Sequence, residues 1–85
     1  MKIFYSSKFE REYKKLPRHI KELAEEKEKI FRGSAFDPRM DTHKLSGRLK
    51  DYWAFSIDQK YRIIFEFAEK GVIWFHSIGD HSIYK

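Results

Sequence analysis

The sequence contains no cysteine, which excludes a disulfide staple and any thiolate metal site and fits a reducing compartment. No apolar run approaches the roughly 18 residues that span a bilayer, so no membrane-crossing segment is expected. Residues Met1 to Ser7 hold neither a long apolar stretch nor a small-residue cleavage site, and no signal peptide is expected. There is no internal repeat, low-complexity tract or linker. Eighty-five residues suffice for one domain with a modest core, and a single domain over 1–85 is expected.

What is present is aromatic and basic. Aromatic residues make up 18% of the chain, with Trp53, Trp74 and eight phenylalanines, so a dense core can come from few side chains. The net charge is +5, which favours a polyanionic or acidic partner. The cations concentrate: from His43 to Arg62 lie Lys44, Arg48, Lys50, Lys60 and Arg62 against Asp51 and Asp58 alone. Glu22 to Lys29 is mixed and acidic, as a solvated helix face is.

The chain divides into a helical front and a stranded back. Lys2 to Tyr5 reads as a short strand. Ser7 followed by Glu10 is a capping-box pattern that starts a helix, with Phe9, Tyr13 and Leu16 on its apolar face. Pro17 ends it and opens a second helix to about Phe31, whose stripe is Ile20, Leu23, Ala24, Ile30 and Phe31. Gly33 is the expected C-terminal cap. Ser34 to Thr42, with Pro38, is a loop.

Alternation then takes over. In Leu49 to Ile57, the residues Leu49, Trp53, Phe55 and Ile57 face one way, and Lys50, Tyr52, Ala54 and Ser56 the other. After the turn Asp58-Gln59-Lys60, Tyr61 to Ala68 places Ile63, Phe65 and Phe67 opposite Arg62, Ile64 and Glu66. After Glu69-Lys70-Gly71, Val72 to Ile78 is nearly all apolar and reads as a strand covered on both sides. His76 and Trp74 inside it read as core, and His19 as surface. The expected fold is α+β: an N-terminal strand and a helical hairpin on one face of a small, mainly antiparallel sheet. The first strand belongs at an edge or beside Val72 to Ile78. Lys50, Tyr52, Arg62 and Glu66 then share the uncovered face, which is the candidate site.

Three segments resemble the RelE/ParE superfamily of type II toxins, including its RelE-, YafQ- and YoeB-like mRNA interferases. His43-Lys44-Leu45-Ser46-Gly47-Arg48-Leu49-Lys50-Asp51-Tyr52-Trp53 is similar to the family's Leu-x-Gly segment leading into the second strand. Tyr61-Arg62-Ile63-Ile64-Phe65 is similar to its Tyr-Arg-Ile strand. Ile78-Gly79-Asp80-His81-Ser82-Ile83-Tyr84 is similar to its closing Ile-Gly-x-His-x-x-Tyr, and Phe9 to Pro17 fits its first helix. The resemblance covers the whole chain and implies a cytoplasmic toxin paired with a cognate antitoxin, in a hetero-oligomer that binds operator DNA. Many members cut mRNA in the ribosomal A site, one branch poisons DNA gyrase without nuclease residues, and an inactive relative would retain antitoxin binding alone.

Metal-free RNA cleavage needs a base, an acid, fixed cations and a surface that holds the nucleotide for in-line attack. Histidine alone titrates near neutrality without perturbation, and the resemblance puts His81 in the acid or base role. Arg62 can grip two phosphate oxygens; the structural alternative is an ion pair with Glu66, which itself reads as base or structural partner. Lys44, Arg48 and Lys50 read as phosphate contacts or solvated loop charges. His43 reads as a second acid or base, or as surface. Tyr84 and Tyr52 each stack on a base or pack onto the sheet. The four histidines lack metal-ligand spacing, and neither metal nor cofactor is expected.

Overall fold

Adjacent serines compete to start the first helix, and Ser6 wins. In the computed structural model, which describes residues 1–84, Ser6 is extended and its Oγ accepts the Phe9 N–H at 3.0 Å. It is the N-cap, one residue ahead of the Ser7 that the capping-box pattern suggested. Helix α1 spans Ser7–Lys14 and α2 spans Arg18–Gly33, with Pro17 between them at the second N-cap. Gly33 does not form a left-handed cap. It stays helical, and Ser34 closes the helix with its N–H on the Ile30 carbonyl.

Five strands form one sheet in the order β1-β5-β4-β3-β2. They are β1 (Lys2–Tyr5), β2 (His43–Lys44), β3 (Trp53–Ser56), β4 (Arg62–Phe67) and β5 (Val72–Gly79). β1 lies at the edge and runs parallel to β5; every other pairing is antiparallel. The helices cover one face. Phe31 of α2 is fully buried, its ring 5.0 Å from Phe55 and 4.9 and 5.5 Å from Phe65 and Phe75. Phe9 of α1 meets Phe75 at 5.6 Å. Four phenylalanines from one helix and three strands thus occupy the centre, which is how a short chain obtains a core.

Three expectations need correction. Leu49 to Tyr52 is not strand. Gly47–Leu49 is a 3-10 turn, entered through Gly47 at φ 65°, and its i→i+3 hydrogen bonds continue through Lys50. A left-handed residue suits glycine and breaks the alternation that Leu49 extended. Second, His43–Lys44, between the expected loop and the expected strand, is itself a short edge strand. Third, β5 is not covered on both sides. Ile64 pairs with Ser77 and Phe65 with Phe75, so His76 is the extra residue of a β-bulge,. Trp74 and His76 stand half-exposed on the face away from the helices, not in the core.

The bulge lies where β1 leaves β5, and polar groups from α1 take over the freed edge. Ser6 Oγ donates to the His76 carbonyl at 2.9 Å. Glu12 Oε1 accepts the Ser77 hydroxyl at 2.8 Å and the Ile78 N–H at 3.1 Å. The final turn, His81–Tyr84, follows directly.

Candidate functional site

On the helix-free face, the start of β4, the edge strand β2, the Gly47 turn and the final turn border an open cavity of about 390 Å³. It is lined by Asp41, His43, Leu45, Ser46, Leu49, Arg62, His81 and Tyr84. Arg62 reaches it because register pairs it with Gly79 and Ser56, at the end of the sheet where the chain turns into His81–Tyr84. His43 reaches it because β2 pairs His43 with Ala54 on that face.

Arg62 is half-buried and does not pair with Glu66. Its Nη1 donates to the carbonyls of Asp58 and Tyr61, which fixes the guanidinium at the head of the strand. Nε and Nη2 have no protein partner among the described residues, so part of the donor fork remains for an anion. His43 Nδ1 lies 2.9 Å from the Asp41 carbonyl. A carbonyl only accepts, so Nδ1 carries the proton and the neutral ring offers Nε2 as a base. Asp41 aims that carbonyl from a left-handed conformation, φ 50°. His81 is exposed, its ring 6.0 Å from Tyr84. Asp80, ahead of it, is held below the usual carboxylate range by hydrogen bonds from Ser82, with lesser help from Lys60 and His81. Burial pushes the Tyr84 phenol up, opposed by the nearby Arg62 charge.

The other candidate residues lie outside this lining. Lys44 is opposite Trp53 in register, on the helix side of the sheet edge. Arg48 and Lys50 are exposed on the Gly47 turn, beside the cavity. Tyr52 sets its ring edge-on to His76 at 4.9 Å, and Glu66 pairs with His76 at 2.8 Å. His19 is exposed. Asp41, Leu45, Ser46 and Leu49 line the cavity without any sequence signal that marks them for it. Leu49 looked like strand core, and nothing local marks Asp41, whose role is to aim a backbone carbonyl. Among the described residues, no group of three or more His, Cys, Asp or Glu is arranged to hold a metal ion, and no helix is long and apolar enough to cross a membrane.

The two-helix, five-strand architecture is that of the RelE/ParE toxins. The YoeB/ParE toxin from Agrobacterium tumefaciens superposes with a TM-score of 0.81 at 15% identity, over 95% of this chain and 99% of that one. YafQ from E. coli strain BL21(DE3) gives 0.80 at 16%, over 96% and 94%. The RelE of a RelB–RelE antitoxin–toxin complex from Methanococcus jannaschii gives 0.74 at 22%, over 95% and 94%. These likenesses define the fold. No curated protein matches the chain. The family model for YafQ, the bacterial toxin of a type II toxin–antitoxin system, matches residues 1–84. The chain belongs to that family of toxins.

Proposed function

We propose that this toxin is a metal-independent endoribonuclease that cleaves mRNA on the ribosome and leaves a 2′,3′-cyclic phosphate or 3′-phosphate end. One observation carries the reading: His43, Arg62 and His81 line a single cavity on the face the helices leave free. The ribose 2′-oxygen bonds to the adjacent phosphorus as the bond to the leaving 5′-oxygen breaks. His43 Nε2 takes the 2′-hydroxyl proton, and His81 protonates the leaving oxygen. The uncommitted part of the Arg62 fork meets the charge that builds on the phosphorane. Arg48 and Lys50, beside the cavity, hold flanking phosphates, and Lys44 contributes at longer range from the edge. Tyr84, still a neutral phenol at physiological pH, stacks on a base; Tyr52 serves the same strand further out.

A cognate antitoxin restrains the toxin in the cytoplasm, and the complex binds operator DNA. A disordered antitoxin segment that folds on binding would bring acidic and apolar contacts to the basic face. The test is an in vitro translation assay run beside a DNA supercoiling assay. Loss of message with supercoiling intact supports the ribonuclease. Loss of supercoiling with message intact transfers the protein to the gyrase-inhibiting branch, and no effect in either marks an inactive relative.

A further inference from the structure

The same outer face carries a feature that the cavity does not use. Phe4, Trp74 and Glu66 form one row across β1, β5 and β4. Tyr52, one residue before the Trp53–Phe65 pair, continues it. Phe4 and Trp74 stack at 5.1 Å with 27° between planes, and Phe4 is 43% exposed. Phe4, Trp74 and Tyr52 all lie outside the buried core cluster, so these rings add little to holding the helices on. The bulge sets His76 beside the row. Its Nε2 meets Glu66 Oε1 at 2.8 Å, and Tyr52 lies edge-on to its ring. That hydrogen bond fixes the carboxylate and leaves Oε2 to accept from something else. Exposed lysines flank the row: Lys2 is two residues before Phe4 on β1, and Lys50 two before Tyr52. Along β4, Glu66 is four residues from Arg62, roughly 13 Å.

We propose that this row is a stacking subsite for a single-stranded RNA nucleotide flanking the phosphate held at Arg62, and that Glu66 selects the base in it. The inference rests on the ribonuclease reading and deepens it. A base lies on the Phe4–Trp74 pair because every base has a face to stack. Glu66 Oε2 accepts from an exocyclic amino group, as carboxylates do from cytosine N4. The subsite therefore favours adenine, cytosine or guanine over uracil, which has no such group. The lysines match the backbone charge, and the row is continuous with the cavity face.

The chain has two tryptophans, and Trp53→Phe leaves Trp74 as a reporter. In a His81→Gln background, which prevents cutting, oligoadenylate and oligouridylate of equal length are titrated. Trp74 fluorescence and the anisotropy of the labelled RNA are read together. Oligoadenylate is expected to quench Trp74 saturably, with the anisotropy midpoint, and to bind more tightly than oligouridylate. Phe4→Ala weakens oligoadenylate about tenfold, and Glu66→Gln brings the two RNAs near parity. Phe36→Ala, which truncates an exposed ring on the helix side, changes neither. Circular dichroism follows the fold, and Phe4→Ala in the chain with both tryptophans repeats the comparison. Binding by anisotropy with Trp74 unmoved overturns the subsite and leaves the ribonuclease reading standing. No binding by either signal overturns the subsite, and the translation assay then decides the ribonuclease reading by itself. Trp74 silent to RNA but shielded by the co-purified antitoxin makes the row a protein-docking face instead.

Discussion

Truncating Glu12 to alanine should loosen the end of β5 and, through it, the turn that carries His81. Beyond Phe75 the edge of β5 has lost β1, and the Glu12 carboxylate accepts both the Ser77 hydroxyl and the Ile78 N–H. Ser77 and Ile78 are buried, so alanine leaves two donors without that acceptor. An unsatisfied buried donor costs about 1–3 kcal/mol. The Glu12 side chain keeps 28% of its exposure, so water reaches part of the site and the total for both donors stays within about 1–3 kcal/mol. An 85-residue domain has roughly 4–13 kcal/mol of stability in all, and the loss lowers Tm by about 5–20 °C. Glu12→Gln retains an amide oxygen for both donors and loses only charge assistance and the 3.8 Å pair with Lys8, a surface pair worth about 0–1 kcal/mol. Thermal unfolding followed by circular dichroism, with amide exchange at Ile78, measures both variants. If Glu12→Ala melts with the wild type and the Ile78 amide stays as protected, the edge is held by something other than this carboxylate.

Other perturbations separate parts of the account. A methyl group at residue 79 would stand 2.6 Å from Ile83 Cγ2, so Gly79→Ala should displace the final turn and cut activity while the core stays folded; adding Ile83→Ala should restore activity if that clash is the cause. Lys44 lies on the helix side of the edge and acts only at longer range, so Lys44→Ala should lower the salt dependence of RNA binding less than Arg48→Ala, which should lower its slope by about one; equal effects would place the RNA path differently. The phenols of Tyr5, Tyr13 and Tyr84 are all raised, by burial first. A raised folded pKa means stability present below the ordinary value of 10.0 and lost as pH climbs through the raised ones. Followed residue by residue by NMR, these three phenols should therefore ionise above 10.0 as stability falls, and ionisation of all three at 10.0 would contradict it.

The sequence was most legible where a period ran unbroken. The Phe9-Tyr13-Leu16 spacing marked α1, and Ile20 to Phe31 marked α2. Alternation from Ile63 to Phe67 marked β4, with only the turn at Asp58 to separate it from β3. Legibility failed where one backbone event reset the pattern. A left-handed Gly47 turned the approach to β3 into a 3-10 turn, two residues of β2 were too few to alternate, and the bulge at His76 has no local signature. The bulge lets Phe75 and Ile78, three residues apart, both enter the core, which is why β5 looked apolar throughout. Arg62 and His81 could be nominated by residue type and by resemblance. Their placement in one cavity depends on the pairing of Arg62 with Gly79, a long-range fact that no window of sequence contains. Glu12, on a charged helix face, gave no sign of its partners on β5.

Mapping transcript ends after controlled expression, wild type beside Arg62→Lys, tests the central claim most directly. The lysine keeps the charge at the head of β4 but cannot both hold the loop carbonyls and offer a fork to phosphate. Losing one such donor set in a transition state costs about 10²–10³ in rate. The wild type should produce new ends within messages, and Arg62→Lys should nearly abolish them with the fold retained. The same ends at the same frequency from both proteins would contradict that claim.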